Sequence, residues 1–352
     1  MKDYLIVGQG VAGSLLAWEL LQRHKSVTVI DNGHLSSSSI ISAGIVNPIT
    51  GKRFALREGF EHLFRHARTV YSKLELRLGQ KLFETKPVLR LFQNEEERDH
   101  WTRKEESAEL GFFKTERFLP GAFSPQLKDT LGSVRIGRAG FCRSAQLLGS
   151  VREFLKRNDD LDGSDFDHQG LKISSDHVRY AGEKYGTVVF CEGFRAQFNP
   201  YFNTLPFNSV KGEVLTLKLD APRLPDEIIN KGKWLLPQGK GMFMAGATYI
   251  WDTLDRVPTP QAREEILHGL SAALELKAQV VDHAAGIRPV LQDQIAVMGR
   301  HPQFGRLAIL NGLGSKGFLV APLYCRQLAD HLEGRHALDP GVSIERFNFV
   351  KY

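Results

Sequence analysis

Residues Met1 to Asp31 restrict what this chain can fold into more than any other stretch. Tyr4-Leu5-Ile6-Val7 is an apolar run, followed at once by Gly8-Gln9-Gly10-Val11-Ala12-Gly13. Leu15, Leu16, Trp18, Leu20 and Leu21 then recur at helical spacing, and Val27-Thr28-Val29-Ile30 is a second, β-branched run that ends on Asp31. Strand, glycine turn, helix, strand and acid in that order make a dinucleotide-binding βαβ unit. Gly8 permits the tight turn, Gly10 lets backbone approach a pyrophosphate, and Gly13 lets the helix sit close to the strand. The first helical turn, with Val11 and Ala12, offers free N–H groups and the positive end of the helix dipole to phosphates. Asp31, followed by Asn32, is placed to accept hydrogen bonds from ribose hydroxyls. An acid there disfavours a 2′-phosphate, which points to FAD or NAD rather than NADP. A tight turn in an unrelated α/β protein is the plain alternative.

At 352 residues the chain exceeds the size at which one core keeps growing, so two domains are expected. The composition, 42% hydrophobic and 24% charged, is that of an ordinary globular protein and contains no transmembrane run. The glycine spacing and the strand that follows argue against reading the apolar N-terminus as a signal peptide. Cys142, Cys191 and Cys325 are widely spaced and the histidines show no ligand spacing, so no metal site is expected and the setting is a reducing cytoplasm. The net charge of +6 suits an anionic partner or a merely basic surface.

Beyond Asp31, 32–39 reads as a polar loop. Ser39 and the small residues Ser42, Ala43 and Gly44, with Ile45, allow close approach to a ligand; a flexible surface loop is the alternative. Gly59 to Leu78 reads as an amphipathic helix, Val88 to Phe92 as a strand, and 94–109 as a charged, solvated helix. A helix spans Ser144 to Lys156, and 158–167 is an acidic, turn-rich connection. Tyr185 to Gly193 is a buried strand expected beside the first one. Val210 to Leu219 alternates as a half-exposed strand, while Trp234 to Pro237 and Met242 to Tyr249 continue a β-rich second domain. Thr259 to Leu276 reads as a helix. Near the C-terminus Arg306 to Asn311 is a strand, Gly312-Leu313-Gly314-Ser315-Lys316-Gly317 a second glycine loop, and about 319–332 a helix. That repeats the strand, glycine loop and helix N-terminus of an anion-binding surface.

Taken together these blocks resemble the D-amino-acid oxidase family of FAD-dependent oxidoreductases, most closely its glycine oxidase branch. The blocks are the βαβ unit, Ser42 to Val46, Lys211 to Glu213, Leu236-Pro237 with Gly246-Ala247-Thr248, Gly286-Ile287-Arg288-Pro289 with Asp293, and Gly312 to Pro322. The resemblance implies an α/β fold: an FAD-binding Rossmann-like domain of the glutathione-reductase type, interleaved with a smaller α+β substrate domain built on an antiparallel sheet. The FAD-binding domain is expected at 1–72, 140–206 and 286–352, and the substrate domain at 73–139 and 207–285. It implies noncovalent FAD held in part by Gly193 and Gly312 to Phe318, with the loop Leu313 to Leu319 near the flavin and Lys316 adding positive charge there. It also implies that Arg288 binds an amino-acid carboxylate. A planar guanidinium pairs with a carboxylate through two parallel hydrogen bonds; an ordinary salt bridge is the alternative for this arginine.

Trp234 falls where the family often has a substrate-contacting tyrosine, and Tyr249 is a neighbouring candidate; either could be core. Met244 stands where sarcosine oxidases carry an oxygen-activating lysine. Two departures, Cys191-Glu192 before Gly193 and the missing arginine near Ser315, bear on the substrate. The implied activity is hydride removal from the C–H beside an amine, in a small amino acid or N-substituted glycine, with hydrolysis of the imine. A variant is oxidation of the carboxymethylaminomethyl group of a tRNA wobble uridine, with tRNA as partner. An NAD-linked dehydrogenase and a flavoprotein without turnover are the readings from other classes.

Overall fold

The computed structural model describes residues 1–33, 37–51, 53–219, 224–275 and 277–347. Its first sheet has a parallel core in the order Leu161–Asp162, Val27–Ile30, Lys2–Val7, Glu183–Phe190 and Leu307–Asn311. Val297–Arg300 closes one edge antiparallel to Leu307–Asn311, and the short strands Val178–Tyr180 and Lys172–Ile173 extend the other half of Glu183–Phe190. Lys2–Val7 is apolar at four consecutive positions because both faces of the sheet are covered. Tyr4 and Ile6 pack among the helices, whereas Leu5 and Val7 pack into a separate cluster with Phe190, Phe202 and Ile309. Helix Val11–Gln22 is buried on nearly every side, so its apolar residues form no narrow stripe.

Helix Gly317–Leu332 lies against Val11–Gln22 and against Phe60–Leu78. Pro322 sits inside it and cannot donate to the carbonyl of Phe318, four residues earlier. The hydroxyl of buried Tyr71, from helix Phe60–Leu78, donates to that carbonyl at 2.6 Å. The freed acceptor is thus satisfied from a neighbouring element.

The second sheet runs Ala278–Arg288, Val210–Leu219, Met242–Gly246, Lys233–Gly239, Ile228–Lys231, Val88–Leu91, Ser133–Ile136 and Thr115–Phe118. Its pairs are antiparallel except that between Ile228–Lys231 and Val88–Leu91. Helix Pro260–Ser271, capped by the Thr259 side chain, packs Ile266 and Leu270 onto Leu215 and Leu217. The chain alternates between the two sheets, as the interleaved arrangement requires.

Several local expectations change. Val210–Leu219 is buried at eight of ten positions rather than half-exposed, because it is paired on both edges and covered by a helix. The charged segment at 94–109 is α-helical only over Glu95–Lys104, with a 3-10 helix beginning at Ala108, and it is not wholly solvated: Glu97 is buried in an ion pair with Arg90. The connection at 158–167 contributes the edge strand Leu161–Asp162, and the polar loop holds a helical turn, Ser38–Ile41, capped by Ser37. Residues 34–36, Lys52 and Leu276 of the expected loops and helix lie outside the described residues. Among the described residues no helix is long and apolar enough to cross a membrane, and no cluster could hold a metal ion. Cys142, Cys191 and Cys325 are free and buried.

Candidate active site

Ile30, Val7, Phe190 and Ile309 lie side by side in register at the C-terminal ends of four parallel strands. The residues just beyond them, including Asp31, Gly8, Cys191 and Leu310, open onto a cavity of about 460 Å³. Ligands of open α/β sheets bind at this end of the strands. The opposite wall comes from the second sheet and includes Gly212, Val214, Trp234 and Arg288.

At one end the glycine turn does what its spacing predicts. Gly8 has φ +96°, and a Cβ there would lie 2.6 Å from the Cys191 carbonyl oxygen. A Cβ at Gly13 would collide with the Gly8 carbonyl, so the helix can seat only on a glycine. Gly10 caps helix Val11–Gln22, and the Val11 N–H donates to Ser39 Oγ at 3.1 Å, tying the serine segment to the helix start. The Asp31 carboxylate accepts from the Gln9 N–H at 2.9 Å, the Gly33 N–H at 2.7 Å and Arg152 Nη1 at 2.9 Å. A carboxylate has roughly four acceptor sites, so one remains for a ribose hydroxyl. Asn32 and Ser42 to Ile45 line the same end and side of the cavity, with Ala12 and Gly193.

At the other end Arg288 closes strand Ala278–Arg288 with its guanidinium lying over Gly212, where any Cβ would overlap it. Arg288 Nη1 donates to the Thr248 carbonyl at 3.2 Å, and its Cζ stands 4.5 Å from the centroid of the Tyr249 ring. Among the described residues no carboxylate pairs with it. Burial pushes this guanidinium below its ordinary pKa, an effect partly opposed by Tyr249, yet arginine stays charged at any physiological pH. Trp234 stands opposite Gly246 in the sheet; a Cβ at Gly246 would come 2.8 Å from the indole, so this glycine makes room for the ring beside the cavity. Tyr249 is 58% exposed, and its hydroxyl lies 3.5 Å from Ser315 Oγ. That contact joins the 247–259 loop to the second glycine loop across the cavity mouth.

In the second loop Gly312 and Gly314 take positive φ, and the Asn311 side chain accepts from the Gly312 N–H and donates to the Gly193 carbonyl. Leu313, Gly314, Ser315, Gly317 and Phe318 line the cavity. Lys316 does not. It lies in the short turn Gly314–Lys316, and burial together with the charge of Arg57 lowers its pKa. Gly13 and Gly312 likewise shape the backbone from outside the lining. Sequence reasoning missed Phe166, His168, Arg195 and Arg256, which line the cavity from turns with no periodic pattern, and the service of Gly212 beneath Arg288.

The glycine cradle, an Asp31 carboxylate with an acceptor site to spare and a cavity shared between two sheets fit a dinucleotide cofactor such as FAD, and the class is that of the FAD-dependent oxidoreductases. The chain belongs to the DAO family of FAD dependent oxidoreductases, whose pattern it matches over residues 3–331. It is 26% identical to glycine oxidase of Pseudomonas aeruginosa over 363 residues, covering 96% of each chain. It is 28% identical over 145 residues to a tRNA 5-methylaminomethyl-2-thiouridine biosynthesis bifunctional protein of Marinobacter nauticus, covering 38% of this chain and 23% of that one. Its fold is that of the crystal structure of glycine oxidase from Geobacillus kaustophilus, with a TM-score of 0.83, 22% identity and 96% of each chain covered.

Proposed function

We propose that this flavoenzyme oxidises the C–H bond beside the amine of a small amino acid or an N-substituted glycine, and that Arg288 receives the substrate carboxylate. The observation that carries this reading is a half-buried guanidinium in the cavity wall with no carboxylate partner among the described residues. A buried charge is costly unless paired, so a substrate anion is its natural complement. The Thr248 carbonyl and the Tyr249 ring hold the guanidinium from one side and leave the other N–H groups for a two-point contact. Gly212 lets that contact lie close to the sheet, and Trp234 lines the same cavity from another strand of that sheet. Together these residues orient the substrate, which is most of what a C–H oxidation asks of the protein. Bound FAD supplies the two-electron acceptor, and the imine product hydrolyses in water to carbonyl compound and amine. Three unpaired, buried cysteines suit a reducing compartment, and we place the enzyme in the cytoplasm.

A second reading is favoured by the shape of the mouth. Tyr249, 58% exposed, lines the cavity two residues before the exposed Trp251, and Arg195 and Arg256 line it beside Phe194. Exposed aromatics with arginines suit a nucleobase and its phosphates. The carboxymethylaminomethyl group of a tRNA wobble uridine carries the same glycine unit that Arg288 would hold.

Anaerobic addition of glycine, sarcosine and D-amino acids to the purified flavoprotein separates the two. Bleaching by any of them supports the small-substrate reading. Bleaching only by modified tRNA, with binding that falls steeply as salt rises, selects the second. A flavin that no amine reduces overturns both.

A further inference from the structure

The Lys211-Gly212-Glu213 triplet uses both faces of its strand. Gly212 faces Arg288. Lys211 and Glu213, one residue to either side, point to the opposite face and are fully buried, although both are ionisable. Lys211 Nζ donates to Asp255 Oδ1 at 2.6 Å and to the Val257 carbonyl at 2.6 Å, and lies 3.3 Å from Glu213 Oε1. Glu213 accepts from the Thr259 N–H at 2.8 Å and the Thr259 hydroxyl at 3.1 Å, and His283 Nε2 stands 2.8 Å away. The backbones of the same two residues hold the start of the loop: Lys211 exchanges both hydrogen bonds with Ile250, and the Glu213 N–H donates to Thr248 Oγ1. The segment so gripped, 247–259, has little core of its own, since Tyr249, Trp251, Leu254 and Val257 are all exposed. Yet it supplies the Thr248 carbonyl and the Tyr249 ring that set the Arg288 guanidinium.

We propose that Lys211 and Glu213 are positioning residues, whose buried ion pair clamps the 247–259 loop and through it aims Arg288 at the substrate carboxylate. A charged clamp suits this place. Hydrogen bonds to ionised groups are short and directional, so they fix a loop that apolar packing does not. The clamp rests on the carboxylate reading of Arg288, and the test keeps the two apart.

The holoenzyme of Lys211→Met is titrated with acetate, read by perturbation of the flavin absorption, and is digested with trypsin, scoring cleavage after Arg256 inside the clamped segment. The expected result is acetate binding weakened at least tenfold and cleavage accelerated at least tenfold, with FAD affinity unchanged. General destabilisation would lower FAD affinity as well. Should Lys211→Met fail to fold, Asp255→Ala removes the half-exposed partner alone and gives the same two changes at about threefold. Faster cleavage with unchanged acetate binding overturns the positioning role, as do two unchanged readouts. A wild-type holoenzyme that binds no carboxylate instead overturns the reading of Arg288 itself, while the trypsin arm still reports on the clamp.

Discussion

The two ends of the cavity solve the same steric problem in different ways. At the nucleotide end the space is made by Gly8, Gly10 and Gly13, three glycines within six residues, where a Cβ would meet the Cys191 backbone, the Ser39 side chain and the Gly8 backbone respectively. At the substrate end the space is made by Gly212 and Gly246, and it is filled by Arg288 and Trp234, which reach it only through the register of a multi-stranded sheet. The first is local geometry and survives as a motif. The second is long-range, and a one-residue slip in either ladder would turn its side chains to the other face. The nucleotide end is therefore common to many chemistries, whereas the substrate end is where one enzyme can diverge from another.

The sharpest way to break that comparison is to add one methyl group at each end. Gly13→Ala drives a Cβ into the Gly8 carbonyl, a backbone atom that cannot give way without moving the helix. Overpacking with backbone displacement predicts a loss of about 3 kcal/mol or more, together with loss of bound flavin; thermal melts and the flavin-to-protein absorbance ratio measure both. Gly212→Ala meets the end of a long side chain instead, so the fold and flavin persist while Arg288 is displaced. Activity on the amine substrate should then fall about as far as in Arg288→Ala. For that variant kcat/KM should drop by about a hundredfold or more, on the order of 3 kcal/mol of lost pairing. If Gly212→Ala sheds flavin while Arg288→Ala does not, the two ends are not separable. A smaller effect belongs to Asp31→Asn, which weakens one charged hydrogen-bond acceptor to the ribose. FAD affinity should fall about tenfold, measured by fluorescence of released flavin, with KM for substrate unchanged.

This contrast also accounts for what could be read from the sequence. The βαβ unit, the second glycine loop and the helix Phe60–Leu78 were legible because each is written in consecutive residues with one period. The carboxylate role proposed for Arg288 rests on a family resemblance spread over several separate blocks, and no spacing in the chain discloses that Gly212 lies beneath it. Val210–Leu219 reads as half-exposed because Lys211 and Glu213 alternate with apolar or small neighbours. In the folded protein both are buried against partners at 255–259, more than forty residues away. Glu97 misled in the same manner, since its partner Arg90 sits on a different element. Ionisable residues buried in pairs defeat hydropathy patterns, and such pairs support the substrate side here. Lys316 differs from its neighbours in the second glycine loop only in that it is not among the residues lining the cavity.

The smallest predicted effect concerns a contact that serves both ends and belongs to neither. The helices that begin at the two glycine loops, Val11–Gln22 and Gly317–Leu332, are joined at their far ends, where Arg23 donates to Glu19, Asp330 and Glu333 at 2.7–2.9 Å. Burial alone would push the Glu333 carboxyl up, but hydrogen bonds from Arg23 and Lys25 and the charges of Arg23 and Arg335 hold it below its ordinary value. A carboxyl depressed in the folded state adds stability that is fully present above its unfolded pKa, about 4.3, and is lost as pH falls through the folded value. Glu333→Gln should therefore cost about 1 kcal/mol at pH 7. The gap from wild type should close progressively below about pH 4.3. Denaturant melts at pH 7 and pH 3.5 measure it, and flavin content and substrate KM should be the same in both proteins at pH 7. A gap that widens in acid would mean that Glu333 is stabilised in its protonated form and that the two helices are joined by something other than these charges.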